Sequence, residues 1–183
     1  IKAALLGLGT VGNGVYKVLN SQREEMEKKI GAVVQVEKIL VRNLKKAAAK
    51  VEDPSLLTND WKSILEDPSI EIVIEVMGGF EPARTYILEA LRAGKHVVTA
   101  NKDLVASNGG ELLDCAAEHQ CDFLFEAAVA GGIPIIRPLK QCLAGNHIQE
   151  VIGIVNGTTN FILTKMTQEG MEFSEALAIA TEL

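Results

Sequence analysis

Six residues near the start restrict this chain more than any others. Gly7-Leu8-Gly9-Thr10-Val11-Gly12 follows a short apolar run, Ile1 to Leu6, and opens a stretch of helical periodicity. An apolar run of that length stopped by glycine reads as a buried parallel strand. From Thr10 on, Val11, Val15, Val18 and Leu19 share one face, the charges between Arg23 and Lys29 take the other, and Gly31 ends the helix. A G-x-G-x-x-G alone is a weak signal; between a strand and a helix, in the first βαβ unit, it acquires specific mechanics. Gly7 permits the tight turn out of the strand, Gly9 lets the backbone approach a pyrophosphate, and Gly12 lets helix and strand pack closely. The helix start then offers unpaired N–H groups and a partial positive charge to the phosphates. The competing reading is a purely structural glycine turn.

The same alternation continues. Val33 to Val41 is a β-branched second strand, and Arg42 to Pro54 is polar and loosely patterned. Asn59-Asp60 caps a short helix through Leu65. Ile70 to Val76 is a third strand closed by Gly78-Gly79, and Glu81-Pro82 opens a helix that Gly94 ends. His96 to Thr99 is a fourth strand, Glu111 to Glu118 is helical, and Asp122 to Phe125 is a fifth strand. Strands alternating with helices predict an α/β fold, a Rossmann-type doubly wound parallel sheet with helices on both faces. After Gly131-Gly132-Ile133-Pro134 the rhythm changes: a helix over 134–143, a strand over 148–155, and two helices, 158–167 and 173–183, joined at Gly170. The organisation is therefore a dinucleotide-binding domain over 1–132 and the beginning of a second, α+β substrate/dimerisation domain over 133–183.

Composition matters mainly for what it excludes. A net charge of −6 leaves no basic stripe for nucleic acid, and no apolar run approaches the roughly 20 residues of a membrane helix. The chain opens directly on a strand, so no signal peptide is expected, and without a Met at position 1 at least a residue or two is expected in front of it. Cys115, Cys121 and Cys142 are odd in number with no C-x-x-C spacing, which fits thiols in a reducing cytoplasm. His96, His119 and His147 lack metal-ligand spacing.

Five further segments carry chemistry. The second strand ends Val41-Arg42-Asn43 with Lys45 and Lys46 behind it, while Glu37 lies earlier in the strand. An Arg at that point suits the 2′-phosphate of NADP, whereas NAD sites place an acid there; NADP is favoured, with NAD possible and a solvated loop Arg as the alternative. Gly78, after the third strand, sits where close approach to a cofactor is needed, or marks a simple turn. Thr99-Ala100-Asn101-Lys102 faces the same crevice, and Lys102 is either a surface lysine or a group that hydrogen-bonds a substrate oxygen, its pKa lowered if desolvated. Glu126 to Pro134 joins one carboxylate to small residues and bare carbonyls, either a wrap for a hard cation or a compact junction turn. Asn156-Gly157-Thr158-Thr159-Asn160 caps a helix or lines a site.

Taken together, GLGTVG (7–12), EVMGG (75–79), TANK (99–102), EAAVAGGIPII (126–136) and NGTTNFIL (156–163) resemble the homoserine dehydrogenases along essentially the whole chain. The resemblance implies NADP- or NAD-dependent interconversion of L-homoserine and L-aspartate-4-semialdehyde in threonine, methionine and isoleucine biosynthesis. It places Gly9, Thr10 and Val11 on the cofactor loop, Arg42 near the adenosine phosphate, and Lys102 beside nicotinamide and substrate. It puts Glu126, Val129, Gly131 and Ile133 around a structural sodium ion held largely by backbone carbonyls. It also implies a cytoplasmic homo-oligomer when intact, with small-molecule substrates. Members continue beyond Leu183 into an acidic segment with a further lysine that supplies the proton, so the chain is expected to bind cofactor but to be poorly active alone. Other semialdehyde or imine reductases, and a non-catalytic nucleotide-sensing module, share the fold; the Glu126 loop and the NGTTN segment separate the first, and the lack of a partner-docking segment the second.

Overall fold

A computed structural model of the chain describes residues 1–154 and 156–182. Val155 and Leu183, the last residues of the predicted strand and of the final predicted helix, lie outside the described residues. The chain divides into two compact units, Ile1–Ala128 and Val129–Leu183.

The first unit is built on six parallel strands. In chain order its elements are β1 (Lys2–Leu6), α1 (Thr10–Ser21), α2 (Arg23–Ile30), β2 (Gln35–Leu40), α3 (Leu44–Ala48), β3 (Leu57–Thr58), α4 (Lys62–Leu65), β4 (Ile72–Glu75), α5 (Ala83–Arg92), β5 (His96–Thr99), α6 (Lys102–Glu118) and β6 (Phe123–Leu124). The sheet order is β3-β2-β1-β4-β5-β6, every pair parallel. The order reverses direction between β1 and β4, the switch point where such sheets open a crevice at the strands' carboxyl ends. Residues Ala3 to Leu6 are completely buried, as a strand covered on both faces must be. Successive side chains feed opposite layers: Ala4 and Leu6 pack with Ile87, Leu91, Leu104 and Leu112, while Leu5 packs with Tyr16, Val36 and Ile39.

Several sequence expectations need correction. The sheet has six strands, not five, because the two-residue β3 pairs with the end of β2. The single helix expected over 10–31 is two, broken at Gln22, whose φ of −109° is not helical. The break falls where the apolar stripe gives out, since α2 buries no residue. The polar stretch after Arg42 contains α3, started by Asn43, whose side chain accepts from the Lys46 N–H. Helix α6 begins at Lys102, nine positions before the expected Glu111: Asn101 caps it, and the complete burial of Leu104 and Leu112 outweighs the Gly109-Gly110 pair in between.

Helices α5 and α6 are tied by Arg84, whose guanidinium forms a two-point ion pair with Glu111 and lies 3.6 Å from Glu81. The Arg84 hydrogen bond holds the Glu111 carboxyl below the usual carboxylate range. Glu81 is held low chiefly by the Thr85 hydroxyl, 2.8 Å away. A carboxylate depressed in the folded state contributes stability above its unfolded pKa, about 4.3 for Glu, and loses it as pH falls through the folded value. Glu111→Gln is therefore expected to shrink the fall in thermal midpoint between neutral and acid pH; an unchanged acid limb in thermal scans would show the pair to be electrostatically idle.

In the second unit, α7 (Gly157–Glu169) and α8 (Phe173–Glu182) pack on each other across Ile162 and Ala176, joined through Gly170 at φ +68°. The helix expected over 134–143 forms over 136–142, its greater part a wide turn, Pro138–Cys142, closed by the Leu143 N–H on the Pro138 carbonyl at 3.0 Å. No strand forms over the described residues 148–154: Val151, Ile152 and Ile154 are 64 %, 85 % and 77 % exposed. An alternating pattern makes a strand only beside another strand, and the described elements of this unit are helical.

Candidate functional site

The crevice at the switch point is a cleft of about 670 Å³, lined by Gly7 to Gly9, Leu40 to Asn43, Lys46, Ala47, Lys50, Asn59, Val76 to Gly78, Glu81, Pro82 and Tyr86. Its floor is the glycine turn. Gly7 has φ +101°, and an added Cβ would meet the Val76 carbonyl at 3.1 Å. At Gly12 a Cβ would lie 2.1 Å from the Gly7 carbonyl oxygen, so the helix–strand approach requires glycine. Gly9 differs: nothing lies within 4 Å of its added Cβ. Its side faces open space where a ligand would come close. Gly9 starts α1 without any side-chain cap, and Thr10 and Val11 follow it, both exposed. The first-turn N–H groups thus have no acceptor within the helix and face outward.

Arg42 stands on the rim after β2, exposed, its guanidinium without a partner among the described residues. Glu37 is occupied with Lys2, 3.4 Å away, so it does not compete for a ribose. Lys46 joins Arg42 on the rim, and Lys50 reaches back to donate to the Leu8 carbonyl at 3.0 Å. This makes the rim cationic. On the far wall Tyr86 stacks on Trp61 with ring centres 4.5 Å apart, and the Trp61 indole N–H donates to Glu89 at 2.5 Å. Lys50, Asn59 and Tyr86 were not among the sequence candidates; their spacing in the chain carries no pattern that would select them.

The cleft stops short of Thr99 and Lys102, which lie at the carboxyl end of β5, next along the sheet. Gly78 lines the cleft and takes φ +73°, followed by Gly79 at +76°, conformations that favour glycine. Thr99 is buried, and its hydroxyl donates to Glu75 at 2.6 Å, leaving its backbone as what it can offer a cofactor. Lys102 is exposed at the first position of α6. Glu75, fully buried at the end of β4, was quoted in the sequence only within the EVMGG segment and not as a site residue. Its signal was present: one acid inside Ile-Val-Ile-Glu-Val, a strand covered on both faces.

The residues named for sodium fall in both units. Glu126 opens a 3₁₀ turn in the first, closed by the Ala128 N–H on Phe125 at 2.9 Å. Val129, Gly131 and Ile133 belong to the second, where Ala130 and Gly131 take φ +55° and +59°. Among the described residues no cluster of His, Cys, Asp and Glu could hold a metal, and no helix is long and apolar enough to cross a membrane.

A 3-2-1-4-5-6 parallel sheet, a glycine turn on an uncapped helix start and a cleft at the switch point define a dinucleotide-binding domain. Residues 7–126 match the family described as "Homoserine dehydrogenase, NAD binding domain", and residues 134–183 match "Homoserine dehydrogenase". The chain belongs to the homoserine dehydrogenase family. It is 47 % identical over 183 residues to the homoserine dehydrogenase of Bacillus subtilis and 48 % identical to that of Synechocystis, covering all of this chain and 42 % of each relative. Among solved structures, a homoserine dehydrogenase from Thiobacillus denitrificans superposes with a TM-score of 0.89 at 46 % identity, over all of this chain and 42 % of that one. A hyperthermophilic archaeal homoserine dehydrogenase in complex with NADPH superposes with a TM-score of 0.79 at 27 % identity, over all of this chain and 60 % of that one. The chain thus spans about two fifths of the length of the curated relatives it matches.

Proposed function

We propose that this chain supplies the cofactor-binding half of an enzyme that interconverts L-homoserine and L-aspartate-4-semialdehyde, and that it takes NADP in preference to NAD. The observation that carries the reading is the cleft itself: an uncapped helix start on its floor and an unpartnered Arg42 on its rim, in a chain of this family. Gly7, Gly9, Thr10, Val11 and Gly12 hold the pyrophosphate through backbone N–H groups. Arg42, helped by Lys46, takes the 2′-phosphate through the paired N–H groups of a guanidinium. Gly78 and the backbone of Thr99 border the nicotinamide. When bound, the nicotinamide carries the hydride. Lys102 holds its ammonium near the substrate oxygen, stabilising the negative charge that builds there and serving its protonation.

Glu126 with the carbonyls of Val129, Gly131 and Ile133 would hold a structural sodium ion, on the strength of its donor chemistry. The chain contributes the dinucleotide-binding domain, 1–132, and the start of a substrate/dimerisation domain, 133–183. The intact enzyme works in the cytoplasm as a homo-oligomer, in threonine, methionine and isoleucine biosynthesis, on small-molecule substrates, with no nucleic-acid or membrane partner.

The test is a calorimetric titration with NADPH and then NADH. NADPH is expected to bind more tightly, and Arg42→Ala to weaken it about tenfold to a hundredfold, the range for losing a charged hydrogen-bond pair, while leaving NADH unchanged. Equal affinities unaffected by Arg42→Ala would remove the NADP preference. No binding of either would overturn the reading of the cleft.

A further inference from the structure

The carboxyl ends of β4 and β5 are joined by a polar network around a carboxylate with no cation within ion-pair distance among the described residues. Glu75 pairs in register with Thr99 across these strands and is completely buried. One of its oxygens accepts the N–H groups of Met77 and Gly78 at 2.8 and 3.3 Å. The other accepts the Thr99 hydroxyl at 2.6 Å, and that hydroxyl oxygen in turn accepts the Asn101 N–H at 3.0 Å. Asn101, also buried, closes the loop: its amide donates to the Gly79 carbonyl at 2.6 Å, and its oxygen accepts the Leu104 N–H at 3.2 Å, capping α6.

A carboxyl in the interior is costly unless its lone pairs are filled. Here three donors fill them, and all three lie in the two segments that border the nicotinamide end of the crevice. The core does not need this group: Ile72, Val73 and Ile74 already make β4 apolar. What the carboxylate does that an apolar residue could not is lock two separate loops to one point. The Met77–Gly79 turn and the start of α6, with Lys102 at its first position, therefore cannot shift independently.

We infer that Glu75, acting through Thr99 and Asn101, is the positioning residue for the nicotinamide half of the site. It sets the Gly78 turn and Lys102 in a fixed relation, while the phosphate half is set separately by the glycine turn after β1. This inference rests on the cofactor reading above and adds a division of labour within it.

The experiment compares two probes on the whole chain: NADPH, and 2′-phospho-ADP-ribose, which has the adenosine and phosphate half but no nicotinamide. Glu75→Gln keeps the shape but replaces the acceptor facing Thr99 with a donor. Thr99→Val keeps nearly the same volume and removes the hydroxyl bridge. Both are expected to weaken NADPH about tenfold, the scale of one or two buried hydrogen bonds. Both should leave 2′-phospho-ADP-ribose within about twofold of wild type, and Thr99→Ser should restore NADPH binding. Bound NADPH should also lose the enhanced emission that an immobilised dihydronicotinamide shows. Equal losses for both probes would mean a general structural role and overturn the inference, as would unchanged NADPH binding in both variants. If the wild-type chain binds neither probe, the cofactor reading itself fails, and this inference with it.

Discussion

Gly9→Ala is expected to leave the fold intact and to remove most of the affinity for NADPH. Gly9 has φ −77°, which alanine adopts freely, and the space beside it holds no protein atom within 4 Å. A glycine-to-alanine change at such a position stabilises a fold by about 0.4–1 kcal/mol, by restricting the unfolded chain. The thermal midpoint should therefore hold or rise slightly. A methyl group there would stand between the first-turn N–H groups of α1 and the phosphates they must touch. The expected loss is roughly a hundredfold, or about 2.8 kcal/mol at 1.4 kcal/mol per decade. Calorimetry and a thermal scan on the same sample check both halves. Undiminished affinity would mean that the pyrophosphate does not lie over Gly9; a midpoint that falls in step with affinity would mean that the glycine is structural after all.

The second large effect has the opposite signature. Gly12→Ala should cost the first unit about 3 kcal/mol, the upper part of the usual range for overpacking. Alanine gains up to about 1 kcal/mol in helix propensity over glycine, but that gain is too small to win. The new Cβ would sit 2.1 Å from the Gly7 carbonyl oxygen and 3.2 Å from Val76. The first of these is backbone, so it cannot rotate away as a side chain would. Helix α1 would have to lift off β1, loosening Tyr16 and Leu8 from the core they share with Leu5. At about 2–4 °C per kcal/mol for a chain of this size, the thermal midpoint should drop by roughly 10 °C. A midpoint at or above wild type would show that the helix can move at little cost, against the tight packing seen here. Three residues apart at the start of α1, the two glycines are expected to separate binding from stability.

Most of the central sheet was legible because its strands are covered on both faces. Short, mainly apolar runs mark β1, β4 and β5 without reference to anything distant. Two peripheral elements were not legible for a physical reason: α3 and β3 span five residues or fewer, too short for a period to show, whereas the short α4 was expected from its Asn59-Asp60 start, and Asp60 does accept the Lys62 N–H. The start of α6 was hidden by Asn108-Gly109-Gly110, which locally reads as a loop and is overruled by the burial of Leu104 and Leu112. The strand expected over 148–155 failed differently. Its alternation is real, but a strand is a relation between two segments, and the pattern of one says nothing about the presence of the other. The site divides in the same way. The glycine turn and Arg42 carry their chemistry in local order, whereas the Glu75 network joins residues 22 and 24 positions apart, and only the register of β4 on β5 brings them together.

The stacked pair on the cleft wall has an optical consequence. Trp61 is the chain's single tryptophan, and its partner Tyr86 lines the cleft. A 128-residue unit has a radius of gyration of about 14 Å, so a nicotinamide anywhere along the crevice stays within dipole–dipole range of the indole. Dihydronicotinamide absorbs in the band where indole emits, and the oxidised ring does not. Energy absorbed at Trp61 is therefore expected to pass to a bound dihydronicotinamide and not to the oxidised ring, so that tryptophan emission falls on titration with NADPH and stays higher with NADP, a redox-selective readout that needs no added dye.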